Sequence, residues 1–273
     1  MIKYLKLLRI EQWVKNIFVF VPLFFSGKIF EFSLFIESLF AFAVFSLTAS
    51  SIYIINDYID IEADRKHPIK RRRPLASGAI SKSVARLVFI GLLCLIAGLV
   101  CIGFCCLEHT DWRFVAIIVS YFIMNLAYTF KLKHIAIIDI SIIALGFVLR
   151  VLAGGYATGI IISQWAILLT FVLALVLAIG KRRGELINAQ LTGKTRRALD
   201  GYNVQFADIA LSVSVTLGII SYLMFTITPE VQERFGHKVF YTFIFVVFAF
   251  LRYIQLTLLL WILCFLLLIY YHN

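Results

Sequence analysis

The chain has 273 residues, of which 62% are hydrophobic and 15% charged, with a mean hydropathy of +0.96. Soluble domains sit nearer half apolar because their surfaces need polar cover, so this composition excludes a water-soluble domain and points to several membrane spans. The formal net charge of +11 follows loop position, and no nucleic-acid partner is expected.

Apolar segments fall at about 13–27, 33–56, 84–106, 112–130, 135–153, 163–180, 208–228, 237–252 and 255–271. The reading is an all-α integral membrane protein of about nine transmembrane helices, one domain over residues 1–273. The first segment is short and carries Lys15 and Asn16. Lys3, Lys6 and Arg9 imitate the start of a cleavable leader, but Glu11, Lys15 and Asn16 interrupt it, so the spans themselves are expected to direct insertion. Cys94, Cys101, Cys105, Cys106 and Cys264 lie in apolar segments without a histidine at ligand spacing. They read as buried small hydrophobes, not as a disulfide or metal framework.

Basic residues orient this layout. With the N-terminus and every second loop on one side, that side holds every lysine and arginine except Lys28, Arg113, Arg234 and Lys238, and the intramembrane Arg150. The positive-inside rule then makes the N-terminus and the long charged loops cytoplasmic. An odd span count places the C-terminus outside. This is the expectation for a plasma-membrane protein, in a bacterium the inner membrane.

The loop after the second segment opens N-D-Y-I-D-I-E-A-D-R-K-H-P-I-K-R-R-R-P, residues 56–74. On a continuing helix Asp57, Asp60 and Asp64, at i, i+3 and i+7, project from one face. Three stacked carboxylates repel unless a cation lies among them, and oxygen ligands of this kind suit Mg²⁺ held together with substrate phosphates. Asn56 adds an amide at the same level. Lys70, Arg71, Arg72 and Arg73 follow, able to grip phosphate oxygens. A solvated loop laced with ion pairs fits the same pattern, and spacing leaves both readings open. His67 precedes the turn-forming Pro68 and reads as hydrogen-bonded structure, not as a catalyst.

A second charged loop begins G-K-R-R-G-E-L-I-N, residues 180–188, so Lys181 and Arg182 could face the first cluster over one cavity. Arg183, Arg196 and Arg197 read as topological charges. Asn125, Tyr128 and Lys133, around the cytoplasmic end of the fourth segment, are placed to line the same cavity. Asp139 and Arg150 share a helical face but are about 16 Å apart along the axis, too far to pair. Asp139 is placed to join the polar site, and Arg150 to take a structural partner.

N-D-Y-I-D-I-E-A-D resembles the first aspartate-rich motif, N-D-x-x-D-x-x-x-D, of the UbiA superfamily of intramembrane prenyltransferases. R-I-E-Q-W-V-K-N-I-F-V-F-V-P-L-F-F-S-G, D-R-K-H-P-I-K-R-R-R-P-L-A-S-G, N-L-A-Y-T-F-K-L-K-H and G-F-V-L-R-V-L-A-G-G are similar to its branch that transfers phosphoribose to a polyprenyl phosphate. The resemblance implies nine helices around a central cavity, its polar cap cytoplasmic. Where typical members carry a second motif, D-x-x-x-D, this chain has G-K-R-R-G-E-L with Glu185 as the only acid, a loss the phosphoribosyl branch shares. After Arg252 the chain is apolar, where that branch has a polar tail.

The resemblance further implies a Mg²⁺-dependent transfer from 5-phosphoribose 1-diphosphate to a decaprenyl-like phosphate. Asn56, Asp57, Asp60 and Asp64 would hold metal and diphosphate. Lys15, Lys70, Arg73, Lys133, Lys181 and Arg182 would position phosphates, and Asn125 and Tyr128 would orient the donor. A homo-oligomer is compatible with this reading. One competing reading is a prenyl transfer from prenyl diphosphate to an aromatic or lipid acceptor. Another is a lipid transporter, which the concentration of polar residues at one membrane face disfavours.

Overall fold

The structure, a computed structural model, describes residues 2–192 and 201–272, with side chains described over 2–190 and 201–259. Lys194, Arg196 and Arg197 lie outside the described residues. The described secondary structure is helical, and the chain divides into two compact units, Met1–Phe130 with Leu149–Ile162 and Lys131–Val148 with Ser163–Asn273.

In the first unit α1 (Ile2–Leu8) leads into a 3-10 helix, Ile10–Phe20, and then α2 (Val21–Phe25). This stretch replaces the regular first span expected over 13–27. It runs antiparallel to α3 (Phe32–Ile59), as its side chains show in order. Arg9 bonds Asp57, and Trp13 Nε1 donates to Ser50 Oγ at 3.0 Å. Asn16 Nδ2 donates to Ser46 Oγ at 2.9 Å, and Phe20 packs on Phe42 and Phe35. Eleven 3-10 residues and five α-helical ones cover roughly 30 Å, the thickness of a bilayer core.

The fit depends on small residues. Ser46, Ala49 and Ser50 of α3 are buried, so α3 presents little bulk to its neighbours. A Cβ at Gly154 of α7 (Ile138–Thr158) would stand 1.8 Å from the Val19 carbonyl oxygen, so glycine there permits backbone contact. Arg150, four residues earlier, donates from Nε to Asn16 Oδ1 at 2.8 Å and from Nη2 to Tyr121 Oη at 3.1 Å. Its guanidinium also lies over the Phe45 and Tyr121 rings. These are the structural partners expected for an intramembrane arginine.

α4 (Ile61–Lys66), α5 (Lys82–Cys106) and α6 (Trp112–Phe130) complete the first unit with the second half of α7. Ser81 caps α5, its Oγ accepting from the Val84 N–H. α5 is peripheral, only 11% of its apolar window being buried. Its four cysteines are accordingly free and exposed on a lipid-facing helix, not buried as expected.

In the second unit the first half of α7 joins α8 (Gln164–Thr192), α9 (Val204–Thr226), α10 (Pro229–Phe235) and α11 (Phe243–His272). Val172, Val176, Ile179, Leu211, Val215 and Phe250 fill its core. Gly180 and Gly218 lie where a Cβ would meet the Tyr253 hydroxyl and the Phe250 ring. Arg183 is buried between Asp208 and the Thr257 carbonyl, more than a topological charge.

Seven helices among the described residues are long and apolar enough to cross a membrane, namely α3, α5 to α9 and a stretch from His237 through Leu259. The break expected near Leu251–Gln255 is absent. α11 continues through it, and Arg252 is satisfied by Gln255 Oε1 at 2.7 Å on the same helix. The protein is an integral membrane protein.

Candidate active site

Helix α3 stops at Ile59 because Asp60 leaves helical geometry (φ −87°, ψ 8°), so the three aspartates do not ride one continuous helix. The Asp60 N–H still donates to the Asn56 carbonyl, and the Asp64 N–H to that of Asp60, which carries the turn into α4. Asp57 and Asp64 are both almost fully buried and share one cation. Arg73 Nη1 donates to Asp57 Oδ1 at 3.0 Å and to Asp64 Oδ2 at 2.7 Å. Asp60, at the bend, is half-buried.

The path of the loop explains how Arg73 arrives there. His67 Nδ1 accepts the N–H groups of Ile69 and Lys70, holding the turn at Pro68, and a 3-10 turn over Lys70–Arg72 delivers Arg73 back to α3. The histidine is thus structural, as expected.

The second cation comes from the N-terminus. Arg9 adopts left-handed backbone geometry (φ 50°, ψ 51°), rare for a residue with a side chain and often found where a site dictates conformation. Its Nη2 donates to Asp57 Oδ1, and its guanidinium lies 4.8 Å from the centre of the Tyr53 ring. Around this centre is a cavity of about 450 Å³. It is lined by Lys6, Arg9, Lys70, Arg72 and Arg73, with Gln12, Ile69, Pro74 and the acids Asp57 and Glu11. Such a lining selects anions, and its guanidinium forks suit phosphate oxygens.

The second unit holds another arginine-bridged pair of acids. Arg182 Nε donates to Asp139 Oδ2 at 2.7 Å and Nη1 to Glu185 Oε2, one turn further along α8. Tyr202 closes the cluster, donating to Asp139 Oδ1 at 2.6 Å while accepting the Ile137 N–H at 2.6 Å. Ile137 is itself left-handed (φ 69°), an outlier for a β-branched residue. Burial first, and then the bond to Asp139, push the Tyr202 phenol well above its ordinary value, so it stays a neutral donor.

Comparison with known proteins places these features. The UbiA prenyltransferase family profile matches residues 17–182. The chain belongs to the UbiA prenyltransferase family. Decaprenyl-phosphate phosphoribosyltransferase of Corynebacterium glutamicum is 37% identical over 224 residues, covering 81% of this chain and 66% of that protein. The enzyme of the same name from Mycolicibacterium smegmatis is 38% identical over 224 residues, covering 80% and 68%. A UbiA homologue from Archaeoglobus fulgidus, solved bound to GPP and Mg²⁺, shares the fold with a TM-score of 0.69. It is 19% identical and covers 93% of this chain and 86% of that one.

A divalent cation is the natural question in a UbiA protein. Among the described residues no group of three or more His, Cys, Asp or Glu is gathered for a metal, so there is no preassembled three-carboxylate cage. The donor set nevertheless fits magnesium in its usual mode of one or two carboxylates completed by substrate phosphates. Asp57 Oδ2 and Asp64 Oδ1 take no part in the arginine bonds, which use the other oxygen of each carboxylate.

Of the residues picked out from the sequence, Asp57, Lys70 and Arg73 line the cavity, and Asp64 joins them through Arg73. Asn56 is half-buried beside them on α3, and Lys15 is exposed on the 3-10 helix outside the lining. Asn125 returns its amide to the Tyr121 carbonyl, and Tyr128 is half-buried further along α6. Lys133, Lys181 and Arg182 belong to the second unit. There Lys181 is exposed and Arg182 is committed to its two acids. Lys6, Arg9 and Gln12 carry no site signal in the sequence, where Lys6 and Arg9 read as topological charges, while Arg72 reads as one of four basic residues able to grip phosphate. Nothing local to Arg9 signals that it meets Asp57.

Proposed function

We propose that the chain transfers 5-phosphoribose from 5-phosphoribose 1-diphosphate to a polyprenyl, decaprenyl-like phosphate and releases pyrophosphate. The observation that carries this reading is a cavity lined by five basic side chains and Asp57, to which Arg73 joins the buried Asp64. The single acid of the G-K-R-R-G-E-L stretch, Glu185, is already tied to Arg182. A donor rich in phosphate suits that balance better than a prenyl diphosphate, whose family members use two acidic motifs. The phosphoribosyltransferase relatives support the same choice.

Asp57 and Asp64 would hold magnesium, which neutralises charge on a diphosphate leaving group. Arg73 and Lys70 grip the diphosphate oxygens through charge-assisted bonds. The bond between sugar C1 and the diphosphate oxygen breaks, its electron pair leaving with pyrophosphate, and an oxygen of the lipid phosphate bonds C1 from the opposite face. The acceptor is already an anion, so no side chain need remove a proton. Asp60, Asn56, Lys15, Asn125, Tyr128, Lys133 and Lys181 remain candidates for positioning substrate.

The N-terminus and the charged loops are cytoplasmic in this reading, in a bacterial inner membrane. The excess of lysine and arginine in those loops supports it, as does the shared level of Arg9 and the end of α3.

The test is incubation of purified protein in detergent with magnesium, ribose-labelled 5-phosphoribose 1-diphosphate and polyprenyl phosphate. Labelled lipid is expected, and chelation of the cation removes it. Transfer from a prenyl diphosphate without any ribose-labelled lipid overturns the reading.

A further inference from the structure

The cavity at the end of α3 carries more positive charge than its carboxylates engage. Arg9 and Arg73 are bonded to Asp57 and Asp64. Lys6 of α1, Gln12 of the 3-10 helix and Arg72 of the turn after α4 line the same cavity. Their side chains make no hydrogen bond or ion pair among the described residues. Glu11 is the only other acid of the lining. Three donors from two distant stretches of sequence therefore converge on one cavity.

The cavity of about 450 Å³ reaches from Asp57 to all three of these side chains, so positive charge lies within it beyond what the carboxylates engage.

We propose that Lys6, Gln12 and Arg72 form a second anion subsite, apart from the Asp57–Asp64 pair, which takes the phosphate monoester at the other end of the sugar donor. The proposal rests on the phosphoribosyl reading above and makes these residues its specificity determinants. Arg72 offers a planar fork, Lys6 a point charge and Gln12 a neutral N–H, a set suited to a terminal phosphate dianion. A prenyl diphosphate has no group to place there.

The experiment separates the two ends of the donor. Ribose 5-phosphate alone and pyrophosphate with magnesium are each titrated as competitors of labelled 5-phosphoribose 1-diphosphate. The protein is the detergent-purified wild type or Lys6→Met/Arg72→Gln, with folding checked by thermal denaturation. The double variant is expected to lose at least about tenfold in affinity for ribose 5-phosphate while binding pyrophosphate within about twofold of wild type. Gln12→Leu, which leaves the charge unchanged, shifts the same ratio by a smaller factor, and Arg72→Lys restores part of it. Equal losses for both competitors, or unchanged binding of ribose 5-phosphate, overturn the subsite. A wild-type protein that binds a prenyl diphosphate but not 5-phosphoribose 1-diphosphate overturns the transfer reading and the subsite with it.

Discussion

Two acid pairs in this molecule are each bridged by one arginine, and they differ in what surrounds the bridge. In the first unit Arg73 joins Asp57 to Asp64, its side chain is 24% exposed, and a basic cavity opens beside it. In the second, Arg182 joins Asp139 to Glu185 with its side chain 4% exposed, and Tyr202 seals the far side of an Asp139 that is fully buried. The same three charges are thus sealed in one unit and open to a cavity in the other. In the proposed reading the open bridge exchanges with an incoming anion, whereas the sealed one holds the fold.

That contrast can be broken most severely in the second unit. Arg182→Met leaves Asp139 charged and buried without its cation, which is expected to destabilise the protein by about 3–5 kcal/mol. Thermal denaturation in detergent checks it, and a variant as stable as wild type would place Arg182 among the exchangeable groups.

Next in size is Asp57→Asn, expected to lower transfer by at least about a hundredfold, roughly 2.7 kcal/mol in barrier. Insertion and melting should stay near wild type, because Arg73 keeps Asp64. Equal losses of stability and turnover would erase the difference between the pairs.

Tyr202→Phe is smaller, removing one hydroxyl that both donates and accepts. A loss of about 1–2 kcal/mol in stability is expected, with a near-normal KM for donor in the folded fraction. A large rise in KM with unchanged melting would move Tyr202 from support to substrate contact. Arg9→Lys should leave stability near wild type, since Asp57 retains Arg73, but should raise KM because a lysine cannot reproduce the fork.

Much of this was legible in the sequence, for identifiable reasons. Long apolar runs marked α3 and α5 through α9 to within a few residues at most ends, because a bilayer demands length and apolarity together. Asp57 and Asp64 were legible as partners, their i, i+7 spacing surviving the break at Asp60. The first apolar segment escaped as a regular helix because eleven of its residues form a 3-10 helix, which rises further per residue than an α-helix. The join inside α11 was hidden because Arg252 looks like a loop charge until Gln255 is seen to satisfy it.

The rest was invisible for a different reason. Arg9 with Asp57 and Tyr202 with Asp139 are separated by 48 and 63 residues, and no local pattern records such pairings. Lys6 obeys the positive-inside rule so well that topology alone explains it, which conceals the cavity it lines with Arg72.

The most direct measurement compares wild-type protein, Asp64→Asn and Asp139→Asn in one preparation, scoring ribose-labelled lipid per folded molecule alongside melting temperature. Asp64→Asn should melt like wild type and make almost no labelled lipid, whereas Asp139→Asn should melt markedly lower. Labelled lipid at near wild-type yield from folded Asp64→Asn would contradict the assignment of the first acid pair as the reacting site.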